Sequence, residues 1–393
     1  MNKDTAEIYG YDQSLKSVLK KLEKSNIPEQ DKKILVRYHE DLLLDGIGMG
    51  RVIKYLNMLF LVSKKICKEF ESVTQEDMKH FVAEIERSDY SEWSKYDFKI
   101  TVRKFYKWLR KTEGYPEEVA WMKVSLKNGN MKLPEQMLSE DEVKKLIEVA
   151  RNSMEKAIIA VLYESGCRIG EILTMRIKCI AFDEYGAQIV VSGKTEPRRV
   201  RIISSVPYLQ DWLNDHPFKD DAESWVWLNK RRDCLKYNSI MDILRGLKKA
   251  SGIKKPLNPH NFRHSRATFL ASHFTERQLR MFFGWRDNRM PDIYVHMAGK
   301  DVDTAILKLY GIEVKENNNC ESKLKPRNCP RCKEVNPVTN KFCSKCGMVI
   351  DEATVMEIIK RDEERKQADD ILDKLIEDKE FKEIFLKKIT EMF

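Results

Sequence analysis

Eleven residues, LKNGNMKLPEQ at 126–136, constrain this chain more than any other stretch, because they separate two regions of different pattern. They combine Asn, Gly and Pro without apolar periodicity, the composition of a connection rather than of an element. At 393 residues the chain exceeds the roughly 250–300 residues at which single cores stop growing, so each side has material for its own core. The expected division is a first unit at 1–127, a linker at 128–137 and a second unit from 138 to 315.

The first unit reads as helices and little else. DQSLKSVLKKLEKS, DKKILVRYHEDLLLDG and GRVIKYLNMLFLVSKKICKEF carry apolar residues three and four apart, the spacing of one helical face. Thr74 with Asp77 three residues on predicts a further helix start. DFKITVRKFYKWLRKTEG sets Lys and Arg beside Phe105, Tyr106 and Trp108. Two readings stand for it: a helix offering its basic side to phosphates, or an ordinary amphipathic helix with a solvated face.

The second unit opens on a capping box, Ser139 to Glu142, and continues as helices near 154–165 and 168–176. AQIVVSG and RRVRII, joined by a turn at Gly193–Pro197, predict a hairpin. Helices resume over 205–250 around an expected strand at Trp225–Leu228. The fold class is therefore mainly α with a small antiparallel sheet.

Net charge is +9, from 71 Lys and Arg against 62 Asp and Glu, with 34% charged and 42% hydrophobic residues. That balance excludes a disordered or membrane-embedded chain and suits a polyanionic partner. No apolar run approaches the ~18–20 residues that span a bilayer, and MNKDTAEIYG lacks the apolar core of a signal peptide. A cytoplasmic protein is expected.

Four of the nine cysteines fall together in CPRCKEVNPVTNKFCSKCG: Cys329, Cys332, Cys343 and Cys346. Two C-x₂-C knuckles can set four thiolates tetrahedrally about Zn²⁺, so a structural zinc ribbon is expected over 326–350. Its region is basic, +5 across 320–350, which fits a DNA contact; a protein-docking role stands beside it. The tail, 351–393, carries −5. Ile371, Leu372, Leu375, Ile376, Ile384, Phe385, Lys388 and Ile389 predict a helix with one apolar side, suited to a subunit contact or to capping the ribbon.

Chemistry gathers at scattered positions. In LNPHNFRHSRATFLASH, Asn258 suits an N-cap and Pro259 the first helical position. His260 and Arg263 then share one face near a helix N-terminus, where anions are favoured. In YESGCRIGEILTM, Arg168 stands one turn before Glu171, which can orient it. Lys194 occupies the hairpin turn, and FGWRDNRMPDIYVH brings Trp285 and, nine residues on, Tyr294. Singly, each reads equally as a solvated cation or a packed aromatic.

Together, in that order, they resemble the tyrosine recombinase/integrase family. The likeness includes the surrounding phrases YESGCRIGEIL, PHNFRHSRAT and YVHMAGKDVDTAI, and covers about residues 10–312. It is greatest toward archaeal integrases and Xer-like recombinases. The resemblance implies an N-terminal helical core-binding (SAM-like) domain and an α-rich catalytic domain that clamp double-stranded DNA. It further implies a tetramer on DNA, with neither nucleotide cofactor nor catalytic metal and no membrane partner, working at the nucleoid. Tyr294 would attack a phosphodiester to give a 3′-phosphotyrosine. Arg168 and Arg263 would hold the phosphate oxygens, His260 would take or relay the phenolic proton, and Lys194 would protonate the leaving 5′-oxygen. Trp285 stands where histidine is commoner in the family; an indole donates one hydrogen bond but moves no proton. Two other readings share the fold: a catalytically silent DNA-binding regulator, and a type IB topoisomerase-like enzyme relaxing DNA without a partner site.

Overall fold

The computed structural model describes residues 3–126, 134–193, 196–287, 289–297, 310 and 322–392. Helices α1 (Lys3–Tyr9), α2 (Tyr11–Glu23), α3 (Glu29–Leu44), α4 (Met49–Ile66), α5 (Gln75–Arg87), α6 (Glu92–Leu109) and the single turn α7 (Glu117–Ala120) account for the first part. The apolar faces of α2 through α7 close on one core that includes Leu35, Leu56, Phe70, Met78 and Phe105. Thr74 and Asp77 cap α5 reciprocally, as their spacing predicts. The basic-aromatic helix α6 buries Phe105 and Tyr106 completely, and Trp108 donates to Asp41 at 2.8 Å while Arg37 lies over its ring.

Helix α1 departs from its neighbours. Ile8 is 1% exposed and belongs to the core of the second part, not the first. Asp4 pairs with Arg176 at 3.6 Å, and Tyr9 packs on Tyr237 with centroids 5.2 Å apart.

The second part runs α8 (Glu140–Glu148), α9 (Ser153–Ser165), α10 (Ile169–Leu173), strands β1 (Ile180–Asp183), β2 (Gly186–Val191) and β3 (Arg198–Ile202), then α11 (Val206–Asp215), α12 (Tyr237–Ser251), α13 (Pro259–Ala271), α14 (Glu276–Phe283) and α15 (Arg289–Met297). Every residue of α9 from Ala157 to Ser165 is buried, which makes it the central helix, packed against α8, α11 and α13. The sheet is antiparallel in the order β1-β2-β3, with Ile189 opposite Ile180 and Val200. Ala187, Ile189 and Val191 alternate onto the core side. β1 is an addition to the expected hairpin.

The expected strand at Trp225–Leu228 does not form. Only isolated bridges occur there, Arg176 to Trp225 and Leu228 to Cys234. The carbonyl of Val226 is taken by the Trp212 indole at 2.7 Å, so no ladder continues through it. A buried carboxylate fastens the corner after β3: Glu164 accepts from the amides of Ile203, Ser204 and Ser205 at 2.8–2.9 Å and from the Ser205 hydroxyl at 2.6 Å.

Near the C-terminus, β4 (Arg327–Asn328) pairs with β5 (Val335–Asn336), and two helices follow, α16 (Glu352–Glu377) and α17 (Lys379–Met392). The tail is therefore two helices rather than one. Asp378 ends α16 in an extended conformation and its side chain accepts from the Phe381 amide, starting α17. Ile371, Leu372, Leu375, Ile384 and Ile389 are exposed. The β4–β5 unit rests on the second part: Leu324 and Val338 join its core, Tyr208 bonds Thr339 at 2.9 Å, and Glu140 accepts from Ser322 and Lys323 at 2.7 Å. Among the described residues, no helix is long and apolar enough to cross a membrane.

Candidate active site

Arg168 enters at the N-cap of α10, held by the carboxylate one turn away. Glu171 accepts the Arg168 amide and its guanidinium, both at 2.9 Å. The same carboxylate accepts both terminal nitrogens of Arg198, from β3, at 3.0 and 2.8 Å. Arg198 also donates through Nε to the carbonyl of Phe282 at 2.9 Å, tying α10, β3 and the end of α14 together. Glu171 is 2% exposed. Burial alone would raise its pKa, but the bonds from Arg198 and Arg168 outweigh burial and hold the carboxyl below the usual range.

Arg263 is anchored by two helix ends. It donates to the carbonyls of Gly166, which closes α9, and Phe283, the last residue of α14, at 2.9 and 2.8 Å. Such carbonyls lack intrahelical partners and sit at the negative pole of the helix. Gly166 has φ +54, and a Cβ there would meet the Phe283 ring at 2.5 Å, so only glycine fits. Burial first, and the Arg168 charge second, push the Arg263 pKa down to about 10. Two guanidiniums repelling in a partly desolvated place have the chemistry to receive an anion with several oxygens.

Tyr294 lies beside them. A ladder of rings runs Phe283, Trp285, Tyr294, with centroids 4.7 and 5.1 Å apart and the last pair inclined by only 4°. The stagger depends on Gly284, whose φ of +63 turns the chain between the first two rings. Tyr294 is 2% exposed. Burial pushes its pKa up to about 12, while the Arg263 charge pulls the other way. Its hydroxyl meets Nδ1 of His264 at 2.5 Å.

Of the residues singled out in the sequence, Arg168, Arg263, Trp285 and Tyr294 converge on this place. His260 stands exposed in the first turn of α13, four residues before His264. Lys194 lies outside the described residues. Sequence reading missed two participants, Arg198 and His264. Arg198 carries no local signal, being 27 residues from its partner, whereas His264 is legible as the helical neighbour of His260 at i+4.

The four cysteines also converge. Their sulfurs all lie within 4.8 Å of one another, with Cys329–Cys346 and Cys332–Cys343 at 3.5 Å. A tetrahedron of 2.3 Å metal–sulfur bonds has edges of about 3.8 Å, so the cluster has the size of a four-thiolate metal site.

The fold is one already seen in solved structures. It is shared with a XerH site-specific recombinase bound to its difH substrate in a post-cleavage complex, at TM-score 0.54 and 16% identity over 76% of this chain and 89% of that one. A lambda integrase tetramer bound to a Holliday junction gives TM-score 0.53 and 15% identity over 69% and 78%. Residues 136–300 match the phage integrase family. Tyrosine recombinase XerA of Pyrococcus horikoshii is 28% identical over 289 residues, 71% of this chain and 94% of that protein. Over 136–300 the chain is thus similar to phage integrases, and over about seven-tenths of its length to a Xer-type tyrosine recombinase.

Proposed function

We propose that this chain is a tyrosine-type site-specific DNA recombinase, cutting and rejoining double-stranded DNA through a 3′-phosphotyrosine and acting as a tetramer on its site. The observation that carries the reading is the juxtaposition of a buried, ring-stacked Tyr294 with Arg263, whose charge reaches its phenol and which shares its surroundings with Arg168. Attack on phosphorus adds negative charge to the non-bridging oxygens, which Arg168 and Arg263 stabilise by paired hydrogen bonds. Trp285 fixes the phenol and offers one indole N–H to a phosphate oxygen. His260 relays the phenolic proton, and Lys194 protonates the leaving 5′-oxygen. The 1–127 unit and the 138–315 unit close on the duplex, joined by 128–137. Such an enzyme works in the cytoplasm, on the nucleoid.

The 326–350 segment holds Zn²⁺ through Cys329, Cys332, Cys343 and Cys346 in a structural role, supported by the size of the cluster. The 351–393 tail reaches a neighbouring subunit.

A nicked suicide substrate, built from DNA fragments selected for binding, tests the chemistry. Wild type accumulates a covalent protein–DNA adduct and Tyr294→Phe forms none. An adduct from the Phe variant, or none from wild type, removes the proposal.

A further inference from the structure

The phenol of Tyr294 is nine-tenths buried and more, and what touches its oxygen is an imidazole. His264 projects from α13 and Tyr294 from α15, helices in direct contact. The Nδ1–Oη separation is 2.5 Å, and the two rings lie 5.7 Å apart at 32°. Two constraints fix this pairing. Arg263, the preceding residue, is locked by the carbonyls of Gly166 and Phe283, which sets the rotation of α13 about its axis. The Trp285 stack holds the tyrosine ring from the other side. The imidazole therefore sits where the reacting oxygen must lose its proton, a placement suited to general acid–base work.

We propose that His264 is a catalytic residue: its Nδ1 accepts the phenolic proton as Tyr294 attacks phosphorus. The inference rests on the recombinase reading above and adds a proton acceptor to it. In the Nε2–H tautomer, Nδ1 presents a lone pair to the hydroxyl. As the Oη–P bond forms and the P–O5′ bond breaks, the proton passes to Nδ1, giving an imidazolium. The departing O5′ takes its proton from the general acid, Lys194 in the reading above. When a 5′-hydroxyl later attacks the phosphotyrosine, the imidazolium returns the proton to the leaving phenolate, and the enzyme is restored. His260, exposed one turn closer to the N-terminus of α13, keeps its place as the relay, exchanging the proton between His264 and solvent.

The test is single-turnover adduct formation on the suicide substrate, beside DNA affinity by gel shift. His264→Ala is expected to bind the site as wild type does and to form adduct roughly 10²–10⁴-fold more slowly, the usual range for removing a proton-transfer group. Free imidazole, able to enter the vacated space, is expected to restore at least part of that loss. His264→Asn keeps a hydrogen-bond acceptor near Nδ1 but takes no proton, so it stays slow; it also carries the test if the alanine variant fails to fold. Wild-type rates from His264→Ala, full rescue by asparagine, or the absence of any imidazole effect each overturn the proposal. Wild type failing to form adduct would instead remove the recombinase reading itself.

Discussion

Trp285 is held between two rings, Phe283 at 4.7 Å and Tyr294 at 5.1 Å, and is 8% exposed. Its sequence reading left open a core aromatic and a phosphate donor; the geometry makes the packing role primary, because the indole face sets where the phenol lies. Stacked aromatic pairs contribute about 0.5–1.5 kcal/mol beyond area burial. Trp285→Phe preserves the stack and removes only the N–H. Adduct formation should then fall about tenfold or less, the worth of a single hydrogen bond near 1 kcal/mol. Trp285→Ala opens a cavity beside the Tyr294 phenol and should cost about 3–5 kcal/mol in urea unfolding. A Phe variant as slow as Tyr294→Phe would show the indole N–H to be essential.

At the level of elements, the caps were readable and the clamps were not. Thr74–Asp77, Ser139–Glu142 and Asn258 each act within one turn of their own helix, so residue type and spacing suffice to identify them. The Glu171–Arg198 pair and the Glu164 corner join elements far apart in sequence, and residue spacing carries no trace of them. Arg198→Ala would leave Glu171 buried and without its two-pronged partner, a change that typically costs about 3–5 kcal/mol. Glu171 has a folded pKa below its usual value. The pair's stabilisation is thus present above the unfolded-state value of about 4.3 and is lost as pH falls through the folded value. The stability gap between wild type and Arg198→Ala, measured by urea unfolding, should be full at pH 7 and narrow below about pH 4. A gap independent of pH would mean that the arginine acts by packing alone.

Across the whole molecule, the first helix and the cysteine-bearing segment both return to the second core. Ile8 enters it from α1, and Leu324 and Val338 enter it from the cysteine-bearing segment. That segment is thus seated on the chain's own α8 and α11 through Glu140 and Tyr208, rather than projecting freely. With Zn²⁺ in the proposed four-cysteine site, a chelator should release the segment. Burying each such aliphatic side chain stabilises by about 1.5–3 kcal/mol, so the melting midpoint of the chain should drop on the order of 10 °C and recover when Zn²⁺ is restored. Cys332→Ser should behave as the chelated protein does. An unchanged midpoint would mean that the segment melts by itself.

The sequence by itself determined the helix starts, the hairpin, the four-cysteine spacing and the residue types at Arg168, Arg263, Trp285 and Tyr294 that the fold brings together. Each is written in short-range periodicity or in residue types whose chemistry is specific. Only the tertiary structure decided which imidazole touches Tyr294, which arginine clamps Glu171, why no strand forms at Trp225–Leu228, and where α1 and the cysteine segment rest. Those outcomes depend on the rotation of one helix against another and on which distant carbonyl claims a donor. Helical spacing put His260 and His264 on the same side of α13; the packing of α13 against α15 chose between them for the phenol.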